Sequence, residues 1–287
     1  MKILILGSSG FIGNSVKLYF LNRGLNVTVI DREELQSDYT FVKLLSETDV
    51  IINCIGSANV GLSFSDTSLD FDSNVLVVKR ILEVMRTYDL NKIKFINLSS
   101  AAVYGNPLEL PTHENAPTLP LSPYGYHKLI SELLMKEYSQ CFGLRTLSLR
   151  VFSAYGSGQK KLLFWDLHKK IEAASGIIKL FGTGEESRDY IHADDIAKQV
   201  LLVIENANFE GESLNVANGQ EVRISTVANL FKKYYPTNFE FEFNNEVRLG
   251  DPLNWCADIS KMKDWGYEPS IYLEEGISRY IHWLKND

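Results

Sequence analysis

Residues 7–13 constrain this chain more than any other stretch: Gly7-Ser8-Ser9-Gly10-Phe11-Ile12-Gly13 stands between a short apolar run, Lys2 to Leu6, and a helical pattern, Ile12 to Arg23. A strand, a glycine-rich turn and a helix N-terminus in that order form a ready-made anion site. One glycine makes the tight turn, the next lets the backbone approach a pyrophosphate, and the third lets helix and strand pack closely. Leu25 to Ile30 reads as a second strand and ends at Asp31, 18 residues after Gly13. That context turns a weak glycine triplet into a dinucleotide fingerprint. Gly7, Ser9, Gly10, Phe11, Ile12 and Gly13 are therefore the expected cofactor-binding residues. A carboxylate at Asp31 suits both ribose hydroxyls of NAD, whereas the guanidinium of Arg32 beside it can host the 2′-phosphate of NADP.

Further strands are expected over 49–55, 93–98 and 144–151, alternating with helices over 71–88 and 124–141. Strands alternating with helices imply right-handed crossovers and a doubly wound parallel α/β sheet, the Rossmann arrangement. Elements shorten after about residue 152, with helices over 161–174, 194–206, 226–235 and 273–284 and strands over 178–181, 213–217 and 239–243. The expected division is a cofactor domain at 1–155, parts of 185–220 returning to it, and a small α/β substrate lobe over 156–287. With no Gly/Ser linker between them, the lobe should pack on the carboxyl edge of the sheet.

Composition narrows the class. The 287 residues carry 29 Lys and Arg against 36 Asp and Glu, a net charge of −7. That balance opposes adhesion to nucleic-acid backbones or anionic membranes. Cys54, Cys141 and Cys256 are odd in number and widely spaced, which fits a reducing cytoplasm and suggests small buried residues for the first two. No apolar run reaches membrane length, and the five histidines have no metal-ligand spacing, so neither a span nor a metal is expected.

Tyr124 and Lys128 stand four apart after Pro123, on one face of a helix that proline can start. An ammonium beside a phenol favours the phenolate, so Lys128 is expected to lower the Tyr124 pKa toward neutrality. Such a tyrosine can act as acid or base between a carbinol and a ketone. Ser100, at the end of a strand, would bond the reacting oxygen. His127 should lie off this stripe, at the surface. Asp189, Asp194 and Asp195 read as caps for the helix near 194, and the loop holding Glu114 as a cover for the site or a plain surface loop.

From these residues the chain resembles the extended short-chain dehydrogenase/reductases that modify nucleotide sugars. The likeness runs nearly end to end: GSSGFIG at 7–13, LSSAAVYG at 98–105, PYGYHK at 123–128, LRVFSAYG at 149–156, RDYIHADD at 188–195 and RLGD at 248–251. It implies a catalytic set of Ser100, Tyr124 and Lys128, with Asn74 beside that set or the cofactor. It also implies a homodimer through helices near 71–88 and 123–140. Arg188 and Arg248 would meet the diphosphate of a nucleotide sugar, and Asp251 its ribose. Ser153 occupies a substrate-holding position where relatives usually carry Asn. Dehydratases of the family place acidic residues after the catalytic serine; here stand Ala101 and Ala102, which cannot transfer protons. The pattern is closest to UDP-hexose 4-epimerases, working through a transient 4-keto sugar. A 4-ketoreductase consuming NAD(P)H in deoxysugar synthesis is the alternative, and a non-catalytic NAD-binding scaffold a third reading.

Overall fold

The computed structural model describes residues 1–30, 35, 37–173, 176–235, 239–246 and 248–286. Asp31 and Arg32, the residues expected to choose between NAD and NADP, lie outside the described residues. Six parallel strands form the main sheet: β1 (Lys2–Leu6), β2 (Asn26–Ile30), β3 (Val50–Asn53), β4 (Lys94–Ser100), β5 (Arg145–Val151) and β9 (Glu210–Val216). Their order is β2-β1-β3-β4-β5-β9, so the winding reverses between β1 and β3. Open α/β sheets bind ligands at such a reversal, outside the carboxyl ends of the strands. Strands covered on both faces read as apolar runs, and all four residues of β3 are buried.

Helices cover both faces. On one, α1 (Phe11–Asn22) lies against the Ala193–Asn206 helix, where Ser15 Oγ donates to Asp194 Oδ1 at 2.7 Å. The other carries the Val77–Thr87 helix and the long Pro123–Phe142 helix. Ser122 opens the long helix, its Oγ accepting from the Gly125 N–H at 3.2 Å, with Pro123 in the first turn. Gly143 closes it at φ 69°.

Beyond the main sheet, β6 (Ser153–Tyr155), β8 (Ser187–His192) and β10 (Glu221–Arg223) form a second sheet. A further pair joins β7 (Gly176–Leu180) to β11 (Phe239–Phe243). Around them Tyr155, Phe164, Tyr190, Phe231 and Tyr280 build a separate aromatic core. The three aspartates do not cap the Ala193–Asn206 helix; His192 does, accepting from the Asp194 N–H through Nδ1 at 3.2 Å. Asp189 instead accepts from the N–H groups of Asn218, Gly219 and Ala257, and Asp195 from those of Ser270 and Ile271. These carboxylates satisfy loop amides that have no ladder partner. Cys141, expected inside, is exposed near the end of the long helix. No described helix is long and apolar enough to cross a membrane.

A ladder of buried polar groups ties the long helix to the sheet. Asn53 donates to Asn97 at 2.9 Å and Asn97 to Ser131 at 3.3 Å. Glu132 accepts from Ser99 at 2.5 Å and from Arg150 at 3.0 Å through Nε and 2.7 Å through Nη2. Arg150 continues to Tyr104 Oη at 2.9 Å, and Tyr104 to Asn215 at 2.7 Å. Removing one member of a buried ion pair strands the other's charge, at a cost of about 3–5 kcal/mol. Arg150→Ala should lose about that much in urea unfolding, and Glu132→Leu added to it should restore part of the loss. A single-variant loss within about 0.5 kcal/mol of zero would contradict this role for the ladder.

Candidate active site

The glycine turn lies at the sheet's reversal point. Gly7 adopts φ 73°, and a Cβ there would stand 2.8 Å from the Ile55 backbone nitrogen. At Gly13 a Cβ would meet the Gly7 carbonyl oxygen at 2.3 Å, so strand and helix are as close as a bare backbone allows. Gly10 is the N-cap of α1, which has neither a side-chain cap nor an acidic residue in its first turn. Its first N–H groups therefore have no carboxylate to satisfy them, as an anion-binding helix start requires. Ser9 is exposed at the turn, Phe11 and Ile12 are half-buried, and Gly158 approaches the Phe11 ring.

Ser100, Tyr124 and Lys128 converge beside this turn. The Ser100 side chain stands near enough to the Tyr124 phenol to favour its ionised form, and its Oγ accepts from the Ala102 N–H at 3.2 Å. Lys128 Nζ lies 5.9 Å from the centre of the Tyr124 ring and donates to the Leu98 carbonyl at 2.8 Å. A Cβ on Gly56 would be 2.7 Å from Asn74 Oδ1 and 3.1 Å from Lys128 Nζ, so Asn74 joins the same group. Asn74 sits in a π-helical turn, Asp72–Leu76, of the kind that often marks functional sites. Its Nδ2 donates to the Asp70 carbonyl at 3.0 Å, while its buried Oδ1 has no partner among the described residues. A glycine cradle, an uncapped helix start and an orphaned amide oxygen together fit a dinucleotide running from the α1 N-terminus toward Lys128.

The electrostatics differ from the sequence expectation. Burial pushes Tyr124 up to about 12, opposed by the Ser100 side chain and reinforced by Asp70. Burial also brings Lys128 down to about 8, with Asp70, Cys54 and Glu132 acting the other way. Lys128 is not among the groups that set the Tyr124 value. Both side chains lose water, and the Lys128 ammonium is directed at Leu98 rather than at the phenol. His127, expected at the surface, is buried and 2.6 Å from Asp70 Oδ2. Neither Asp70 nor this contact was legible from spacing, because the partners lie 57 residues apart.

The expected substrate residues occupy the second sheet and the turn beside it. Ser153 is half-buried on β6, opposite Tyr190 of β8. Arg188 donates to the carbonyls of Ser187 and Leu253 at 2.8 and 3.0 Å, with its guanidinium 5.5 Å from the Trp255 ring centre. Arg248 lies 4.3 Å over the Phe181 ring and 3.6 Å from Asp166. Burial raises the Asp251 carboxyl, and the charges of both Arg188 and Arg248 pull it back, which brings the three side chains into one electrostatic group. Gly250, in the same turn, packs on Val60, Phe64 and Ser122, and so brings the turn to the start of the helix that carries Tyr124. Glu114 lies elsewhere: its carbonyl accepts from Arg150 and its carboxylate from the Asn215 N–H, fastening the loop beside β9. Among the described residues no group of three or more His, Cys, Asp or Glu is placed to hold a metal.

Known proteins resemble this chain over its whole length. A putative UDP-glucose 4-epimerase of Methanocaldococcus jannaschii is 31% identical across 99% of both chains. UDP-glucose 4-epimerase of Halalkalibacterium halodurans is 28% identical across 99% of this chain and 96% of its own. UDP-glucuronic acid 4-epimerase of Bacillus cereus, solved with UDP-glucuronic acid and NAD, superposes with a TM-score of 0.87 at 26% identity. It covers 100% of this chain and 99% of its own. Residues 3–217, which hold the glycine turn and the Ser100, Tyr124 and Lys128 group, match one family along their length, and the chain belongs to it: the NAD dependent epimerase/dehydratase family.

Proposed function

We propose that this protein is an NAD-dependent nucleotide-sugar 4-epimerase acting on a UDP-hexose. The observation that carries this reading is the group of Ser100 acting on the Tyr124 phenol and Lys128 5.9 Å from the Tyr124 ring, with no proton-transferring side chain at Ala101 or Ala102. The names of the relatives support the same class.

Tyr124 Oη is the group that takes the proton from the C4 hydroxyl and gives it back, with Ser100 holding the reacting oxygen in line. Lys128 orients the ribose side of the cofactor and Asn74 Oδ1 accepts beside it. Gly7, Gly10 and Gly13 let the backbone reach the pyrophosphate, with Ser9, Phe11 and Ile12 lining the turn. When bound, NAD supplies the hydride acceptor for C4 and a positive charge that offsets the burial now holding the Tyr124 phenol at about 12. Arg188 and Arg248 place the substrate diphosphate, Asp251 its ribose and Ser153 the sugar, on the lobe formed mainly by 156–287. Arg248 must turn from Asp166 to do so; that contact is exposed and weak.

The same reading pairs two copies of the chain through helices near 71–88 and 123–140. Leu76 and Leu133, apolar residues of those segments, are 44% and 58% exposed. Sedimentation should show a dimer that Leu133→Glu weakens; a monomer at micromolar concentration would remove this part of the proposal.

Purified protein given UDP-glucose, UDP-N-acetylglucosamine or UDP-glucuronate should convert at least one to its C4 epimer with no net oxidation or reduction of cofactor. Tyr124→Phe should slow that conversion by about 10²–10⁴-fold while melting as the parent does. Net oxidation of NADH or NADPH by a 4-keto sugar nucleotide, without epimerisation, would move the reading to a ketoreductase.

A further inference from the structure

Behind Tyr124 and Lys128 is a buried acid–imidazole contact that the proposed chemistry does not use. Asp70, in the short Thr67–Phe71 helix, is 1% exposed, and His127 of the long helix is 6% exposed. His127 Nδ1 lies 2.6 Å from Asp70 Oδ2, and the Phe71 ring meets the imidazole edge-on at 5.2 Å. The other carboxylate oxygen, Oδ1, has no hydrogen-bond partner among the described residues. A buried carboxyl group needs a hydrogen-bond partner. The group within hydrogen-bond distance is the imidazole of His127, set between Tyr124 and Lys128 in the sequence of the helix.

The surroundings of Lys128 leave Asp70 a specific task. The groups that favour its ammonium are Asp70 from the short helix, Cys54 from the end of β3 and Glu132 one turn further along its own helix. Burial pushes the Cys54 thiol up to about 12, so it carries no charge near neutral pH. Arg150 neutralises Glu132 through two hydrogen bonds. Asn74 and the Leu98 carbonyl are polar but uncharged. Asp70 is the remaining carboxylate, and it acts on Tyr124 as well.

We propose that Asp70 and His127 are a positioning pair: His127 holds the Asp70 carboxylate in place by a hydrogen bond, and that carboxylate keeps Lys128 in its ammonium form behind Tyr124. The ammonium can then donate to Leu98 and to a cofactor ribose, which a free amine does poorly. The inference takes Lys128 and Tyr124 as the reacting group of the proposed epimerase, but its test needs no turnover.

The test follows the Lys128 Cε resonance by 13C NMR across pH in lysine-labelled protein, assigned by its loss in Lys128→Arg. The parent midpoint should lie at about 8. Asp70→Asn and His127→Phe, which keeps the aromatic contact but removes the donor, should each lower it by about one pH unit or more. His127→Asn, with an amide near the position of Nδ1, should return it toward the parent value. Parent-like midpoints in folded Asp70→Asn and His127→Phe proteins would overturn the proposal, as would a fall in melting temperature with no midpoint shift. If Asp70→Asn does not fold, His127→Phe decides. A protein with no epimerase activity that still shows these shifts would separate this inference from the functional reading.

Discussion

The buried pair of Glu132 and Arg150 fixes the helix on which the site depends. Its side chains are 5% and 8% exposed, and their hydrogen bonds reach β4 through Ser99 and β9 through Ser213. A helix held only by apolar contacts can slide or rotate by small amounts at little cost. One held by directional bonds to three neighbouring strands cannot, because each shift leaves a buried polar group unpaired. Tyr124 and Lys128 are about two turns and one turn upstream of Glu132 on this helix, so the ladder sets their distance from Ser100 and from the glycine turn.

With position settled, charge becomes the remaining variable. The same burial that orders the site pushes Tyr124 up and Lys128 down, away from the states that proton transfer needs. An i,i+4 tyrosine and lysine are therefore insufficient by themselves. Ser100, Asp70 and the cofactor's charge act on the two groups from outside the helix, and each comes from a different part of the chain. The group proposed for the substrate shows a similar pattern: the charges of Arg188 and Arg248 both act on Asp251, while carbonyls, an aromatic ring and Asp166 occupy the guanidinium groups.

Features encoded within a few residues were legible in the sequence. The glycine turn, the helix opened by Ser122 and Pro123, and the alternation that builds the parallel sheet all follow from local spacing. Contacts between distant segments were not. His127 looks like a polar surface residue until Asp70 is placed beside it, and Cys141 lies on the exposed side of the end of the long helix. Strand β8 carries the arginine, aspartate and histidine of SRDYIH, a composition that hides a buried strand. It is buried because loop amides from 218, 219 and 257 satisfy Asp189, and those amides are brought in by the fold.

In the proposed epimerase, hydride leaves C4 of one sugar and returns to the same carbon within one site. Deuterium at C4 of whichever UDP-hexose the protein epimerises tests it most directly. Product analysed by mass spectrometry and NMR should retain the label at C4 in both epimers, with none exchanged into water. Loss of the label to solvent, or epimer formed with protium at C4, would contradict the account.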